Sequence, residues 1–249
     1  MTATLRRAAT VTSLDRIAAV VAPAADARQG PLRSLGGRNL FVQPRDLGTA
    51  YEVLLALLTL EPRLDPSTPV LFLPGDFIVD DEEVMTNSLM SMAEWIGDDP
   101  GPVYLLGAVP QGPHDQLGYI VPWHDTMLMP TSVYEFVERP DVRRARELIQ
   151  AGGLWNTFIF GGSVHSLLQQ FRPRFDAAID EVRAALRSDD VDLNLVRAYD
   201  RLTPLDFSQD VLARQTDRLQ VLRLLRCGWW PLKSPTPTEH ALPRLHNLS

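Results

Sequence analysis

Cysteine is almost missing from this chain: Cys227 is the only one in 249 residues. No internal disulfide and no cysteine-based zinc site is open to it, and a reducing compartment is its expected surrounding. No apolar stretch approaches the ~18 residues of a membrane-spanning helix. The longest run, VLLALLTL at 53–60, has the length of a core helix. Lys and Arg form no long run, and the net charge of −7 argues against nucleic acid or an anionic membrane as partner. Arg143, Arg144 and Arg146 read as one solvated helix face. The five histidines, His114, His124, His165, His240 and His246, are scattered without metal-ligand spacing. Neither a Gly-x-Ser-x-Gly elbow nor a Gly-x-Gly-x-x-Gly dinucleotide loop is present. A cytoplasmic location is the expectation that goes with a reducing compartment.

What is present is an ordinary globular composition, 45% apolar and 22% charged, long enough to bury a sizeable core. Short apolar runs alternate with longer helical stretches, the pattern of an α/β sheet covered on both faces. IAAVVA (17–22), NLFV (39–42), VLFL (70–73), PVYLLGAV (102–109), VYEFV (133–137) and LQVLRLL (219–225) read as strands, the last as the final one. TAYE (49–52) has capping-box spacing and predicts a helix to about Leu60, with Thr49 as N-cap. Helices are also expected over 80–96, 141–153 and most of 163–201. Arg6, Arg7 and Arg16 before IAAVVAPAA loosely imitate a secretion signal, but Asp15 abuts the apolar run, and a buried strand is the better reading. The expected division is a loose arm over 1–13, one domain over 14–232, and an irregular, proline-rich tail over 233–249.

VLFLPGDFIVDD (70–81) places the carboxylate of Asp76 at the tip of an apolar strand, after Pro74-Gly75. Open α/β sheets bind ligands beyond the carboxyl ends of their strands. An acid there suits Mg²⁺, which takes one or two carboxylates plus phosphate oxygens and water. It equally suits an Asx-type turn. Asn156, inside LWNTFIF (154–160), raises the same question, because an apolar strand is a costly place for an unpaired amide.

The ordered set FVQPRDLGTA (41–50), VLFLPGDFIVDD, LGYI (117–120), FVERP (136–140), LWNTFIF, LDFSQDVL (205–212) and CGWW (227–230) resembles the sugar-1-phosphate nucleotidylyltransferases of mannose-1-phosphate guanylyltransferase type, over about 15–232. The resemblance implies a Rossmann-like nucleotide-diphospho-sugar transferase fold, with a mixed, mostly parallel sheet and helices on both faces. It implies a reaction in which a sugar 1-phosphate oxygen attacks the α-phosphorus of a nucleoside triphosphate and pyrophosphate leaves, with Mg²⁺ as cofactor. By resemblance Asp76 is the metal-chelating acid. Gln43, Pro44, Gly48 and Thr49 face the nucleotide base, Gly118 lets the backbone approach the sugar, and Glu138 and Asn156 bind hexose hydroxyls. Arg139 stands where the family has a lysine beside the sugar phosphate, with the same charge but a different reach.

The departures cluster in the catalytic parts. No glycine-rich phosphate loop precedes IAAVVA, so the family's first strand and triphosphate cradle are expected to be absent. Pro231 stands where the resemblance expects a second metal-binding Asp, Lys233 where it expects Gly, and Phe77 where His is common. The expectation is a guanylyltransferase homologue in GDP-mannose and polysaccharide supply that is degenerate as a lone chain and holds Mg²⁺ weakly. The alternative is a non-catalytic, sugar-nucleotide-binding partner that regulates a full-length paralogue. A nucleotide sugar or sugar phosphate is the expected ligand in either case, and a homo-oligomer is the other assembly considered.

Overall fold

The computed structural model describes residues 2–23, 31–124 and 129–232. Its centre is the apolar run singled out above. Helix α2 (Thr49–Leu60) buries Ala50, Tyr51 and every residue from Val53 to Leu58, so it is apolar nearly all round and sits inside the core rather than on it. It follows two short parallel strands, β1 (Ala19–Val21) and β2 (Leu40–Val42).

The main sheet has six strands in the order β3 (Pro69–Phe72), β8 (Leu154–Ser163), β5 (Val103–Ala108), β9 (Leu219–Arg223), β7 (Thr131–Val137) and β6 (Tyr119–Pro122). Strand β6 also pairs with β8, through Tyr119 with Trp155 and Ile120 with Leu154, so five of the strands curl into a closed ring. The sheet is mixed, as expected, and β3, β5, β9 and β6 share one direction against β8 and β7, although few of them are direct neighbours. Only β5 with β9 runs parallel within it, and the other pairs are antiparallel. The β6–β7 hairpin and the long return strand β8, each bound to several neighbours, account for that.

Both faces are covered. One carries α2, α5 (Val164–Phe171), α6 (Asp176–Leu186) and α7 (Val191–Arg201) around Phe160, Phe171 and Phe207. The other carries α3 (Glu82–Asp98) and α4 (Val142–Gln150) around Met85, Met92, Tyr104 and Trp155. Helix α4 stops at Gly152, whose φ of +83° is the left-handed turn that glycine adopts without strain.

Three expectations change. Residues Ala3–Val11 are not a loose arm but helix α1, whose Leu5 packs with Ile17 and Leu35 in a small core of its own. The cap of α2 is Gly48, not Thr49, because a partner far along the chain takes the Thr49 hydroxyl. Strand β9 is not the last: β10 (Trp230–Pro231) pairs antiparallel with β4 (Phe77–Ile78). The expected tail over 233–249, Lys233 included, lies outside the described residues. No helix among the described residues is long and apolar enough to cross a membrane.

Candidate functional site

The carboxyl ends of β5 and β9 and the amino end of β8 lie at one edge of the sheet, since Ala108 pairs with Trp155 and Arg223 with Gly107; β3 runs toward that edge and stops at Phe72, paired with Phe160. Asp76 follows β3 at that edge. Its neighbour Phe77 pairs with Pro231, and the adjoining Trp230 ring meets Trp155 edge-on at 5.9 Å. Asp76 and Asn156 therefore share an end of the sheet, in the position where open α/β sheets take ligands.

Around Asn156 the packing is tight and polar. Its backbone N–H donates to the Gly118 carbonyl at 2.8 Å. The side-chain Oδ1 accepts from the Phe158 N–H at 3.1 Å, and Nδ2 donates to the Ser208 hydroxyl at 3.2 Å. An Asx-type turn thus supports the irregularity of β8, where Phe158 has φ +57°. The amide expected to be costly in an apolar strand is satisfied.

Gly118 is where the backbone comes closest. A Cβ there would lie 2.4 Å from Glu138 Oε2 and 3.2 Å from Asn156 Cβ, so only glycine leaves the two side chains side by side. Glu138 follows β7, brought level with Tyr119 by the pairing of Val137. Its side chain is 11% exposed, and its Oε2 is buried with no hydrogen-bond partner among the described residues. Burial pushes its carboxyl up from the ordinary 4.5 to about 7; Asp206 adds to the rise and Arg139 opposes it. Arg139, in a left-handed backbone conformation with φ +47°, spreads its guanidinium between Glu138 Oε1 (Nε at 3.5 Å) and Asp206 Oδ2 (a terminal nitrogen at 3.3 Å). It is engaged by two carboxylates.

The residues assigned to the nucleotide lie in the connection from β2 into α2. Gly48, with φ +92°, comes so close to Leu205 that a Cβ would stand 2.4 Å from the Leu205 carbonyl oxygen. The Thr49 hydroxyl accepts from the Phe207 N–H at 2.9 Å, and the Ala50 N–H donates to the Leu205 carbonyl at 3.2 Å. Gln43 donates its backbone N–H to the Val21 carbonyl, while both atoms of its buried side-chain amide lack partners among the described residues. Pro44 is half-buried beside it. The Gln43 side-chain amide makes no hydrogen bond to the Glu138 cluster among the described residues.

Residues 205–208 link the two halves. Asp206 caps the π-helical turn Phe207–Val211 and holds Arg139, Ser208 holds Asn156, and Leu205 and Phe207 meet the amino end of α2. LDFSQDVL carries the resemblance as a stretch, with no role for any of its single residues. Their partners lie 52 to 158 positions away, a distance over which no local pattern carries information.

For a metal, Asp76 offers one carboxylate at this edge. Among the described residues no three His, Cys, Asp or Glu side chains gather into a cage. One carboxylate is the least that Mg²⁺ takes from a protein, the remaining ligands then being phosphate oxygens and water. Pro231 opposite Phe77 brings a pyrrolidine ring, not a second acid, to the Asp76 loop.

Fold and site together define an α/β protein of the nucleotide-diphospho-sugar transferase type. The family model described as nucleotidyl transferase matches residues 31–203. The chain belongs to that family. It is 25% identical over 218 residues to the mannose-1-phosphate guanylyltransferase of Salmonella muenchen, covering 82% of this chain and 46% of that protein. It is 31% identical over 128 residues to the alginate biosynthesis protein AlgA of Pseudomonas putida, covering 49% of this chain and 25% of that one. The chain thus spans less than half the length of these curated relatives. The solved mannose-1-phosphate geranyltransferase of Thermus thermophilus superposes with a TM-score of 0.77 at 26% identity, covering 92% of this chain and 64% of that one.

Proposed function

We propose that this chain binds a nucleotide sugar of the GDP-mannose kind, hexose end first, and that its nucleotidyl transfer is weak or lost when it acts alone. The observation that carries the reading is the Glu138 carboxylate: built into the wall beside Gly118 and Asn156, with Oε2 buried and unpartnered among the described residues. A buried acceptor without a donor costs about 1–3 kcal/mol, and a hexose hydroxyl is a donor of the right size to supply. The buried amide of Gln43, without a partner among the described residues, would give a base edge the same kind of donor and acceptor near the start of α2.

In the transfer itself, alignment and neutralisation of spreading negative charge do most of the work. Asp76 would hold Mg²⁺, which supplies that neutralisation when bound with phosphates. The chain's own residues orient the sugar through Glu138 and Asn156. Arg139 gives part of its charge to Glu138 and Asp206, which leaves it a weaker anchor for phosphate. With Pro231 where the resemblance expects a second acid, cation affinity would rest on Asp76 among the described residues.

Calorimetric titration with GDP-mannose, GDP and GTP tests the reading. GDP-mannose is expected to bind most tightly, with modest dependence on Mg²⁺. GTP binding more tightly, with a steep Mg²⁺ requirement, would contradict it. Pyrophosphate release from GTP and mannose 1-phosphate is expected to stay well below ~1 s⁻¹, the lower end of ordinary enzyme turnover. Faster turnover that Asp76→Asn abolishes would restore a full transferase.

A further inference from the structure

Helix α1 and the loop carrying Asp76 are joined by contacts that the candidate site does not account for. Arg7 is 3% exposed, a rare state for an arginine. Its Nε donates to Glu82 Oε2 at 2.7 Å and one terminal nitrogen to Glu82 Oε1 at 2.8 Å, a bidentate pair. The other terminal nitrogen donates to the Phe77 carbonyl at 3.3 Å, and the guanidinium lies 4.4 Å from the centre of the Phe77 ring. One turn earlier, the Thr4 hydroxyl donates to the Pro74 carbonyl at 3.1 Å. From the opposite side, the Leu232 N–H donates to the Asp76 carbonyl at 2.8 Å. Three carbonyls of the four-residue stretch 74–77 are therefore fixed by groups from outside it.

We propose that Arg7 is a positioning residue of the candidate site: it fastens α1 to the Asp76 loop, and α1 thereby sets how the carboxylate is presented to a divalent cation accompanying a nucleotide sugar. The cation half rests on the proposed reading of Asp76 as the cation's ligand. Glu82 opens α3 directly after the Asp81 cap, so the pair ties the loop to a helix whose Met85, Leu89 and Met92 are fully buried. Leu5 packs on Ile17 and Leu35 independently of Arg7, which keeps α1 attached when the guanidinium is removed.

The experiment compares the full chain with Arg7→Met, Thr4→Val and Asp76→Asn. Hydrogen exchange of peptides covering 74–78 is expected to quicken about tenfold or more in Arg7→Met, the equivalent of losing one hydrogen bond to a charged group. Exchange in β5 and β8 is expected to hold. GDP-mannose titrations with EDTA and with Mn²⁺ then separate positioning from general damage. Arg7→Met is expected to match Asp76→Asn by losing the gain in affinity that Mn²⁺ brings, while its affinity in EDTA stays within about twofold of wild type, a change under 0.5 kcal/mol. Thr4→Val, a milder and surface-tolerant change, is expected to fall between. Unchanged exchange at 74–78 overturns the clamp. Equal loss of affinity in EDTA and Mn²⁺ overturns the positioning role, as does a wild type that binds GDP-mannose with no Mn²⁺ gain. A wild type that binds no GDP-mannose at all overturns the proposed function and with it the cation half, while exchange still decides the clamp.

Discussion

Replacing Glu138 by glutamine isolates the charge that burial disfavours. The carboxyl titrates at about 7 in the fold against an ordinary 4.5. Below pH 4.5 it is protonated whether the chain is folded or not, and it costs nothing. Between pH 4.5 and 7 the unfolded chain releases the proton and the folded chain keeps it, so stability falls as pH rises, and above pH 7 the loss is complete. At 1.36 kcal/mol per tenfold change in proton affinity, the full loss is about 3 kcal/mol. Glu138→Gln removes this slope but leaves an amide in the same pocket, a cost of about 1–3 kcal/mol that does not vary with pH. The difference in melting temperature between variant and wild type is therefore expected to shift in the variant's favour from pH 4.5 to 8. About 2–4 °C per kcal/mol, for a chain of this size, makes that shift about 6–12 °C.

On the proposed reading the same charge is expected to govern binding. Hexose hydroxyls donating to Glu138 favour its ionised form, so affinity for GDP-mannose is expected to rise by up to about tenfold per pH unit below 7 and to level off above. In Glu138→Gln this rise disappears. A variant whose melting difference is flat across pH 4.5–8, or a wild-type affinity that falls as pH rises through 7, would refute the assignment of a buried, ligand-facing carboxylate.

Gly118→Ala drives a Cβ to 2.4 Å from Glu138 Oε2; because the oxygen ends a side chain that can turn away, the fold is expected to survive while GDP-mannose affinity drops at least about tenfold, roughly one hydrogen bond to a charged group, as measured by calorimetry. Ser208→Ala removes the partner of the Asn156 amide and is expected to destabilise by about 1 kcal/mol in denaturant unfolding and to weaken hexose binding more than GDP binding; equal effects on both ligands would detach Ser208 from the sugar side. Thr49→Val leaves the Phe207 N–H without its acceptor and is expected to cost about 1–3 kcal/mol; an unchanged unfolding midpoint would show that the 205–208 segment does not depend on α2.

What the sequence made legible follows from the range of the forces involved. Strands β3 and β5 and the core helix α2 are readable because apolar runs bounded by proline, glycine or acids declare burial locally. Asp81 as a cap of α3 is equally local: its carboxylate accepts from the N–H groups of Glu83 and Val84. The misreadings involve groups whose partners lie far along the chain. Thr49 carries the letters of a capping box, yet its hydroxyl accepts from Phe207, 158 residues away. Arg7 looks like part of a solvated arm, and only the placement of Glu82, 75 residues on, makes its burial affordable. Pairing in the sheet is likewise non-local: β8 lies between β3 and β5, and β7 between β9 and β6, so strands of one direction meet directly only at β5–β9.

The candidate site divides along the same line. Gly118, Glu138 and Asn156 can be singled out by resemblance, but their joint chemistry depends on a segment to which neither resemblance nor periodicity gives a role. Asp206 pulls on Arg139, Ser208 orients Asn156, and Leu205 and Phe207 lean on Gly48 and Thr49. Residues 205–208 therefore touch both groups of residues to which the resemblance gives sugar and nucleotide roles, through a π-helical turn of the sort that recurs at functional sites. Hexose and nucleotide ends of one ligand would press on the same four residues from two sides. A change that loosens that segment should then weaken both ends together, whereas a change confined to Glu138 should weaken only the sugar.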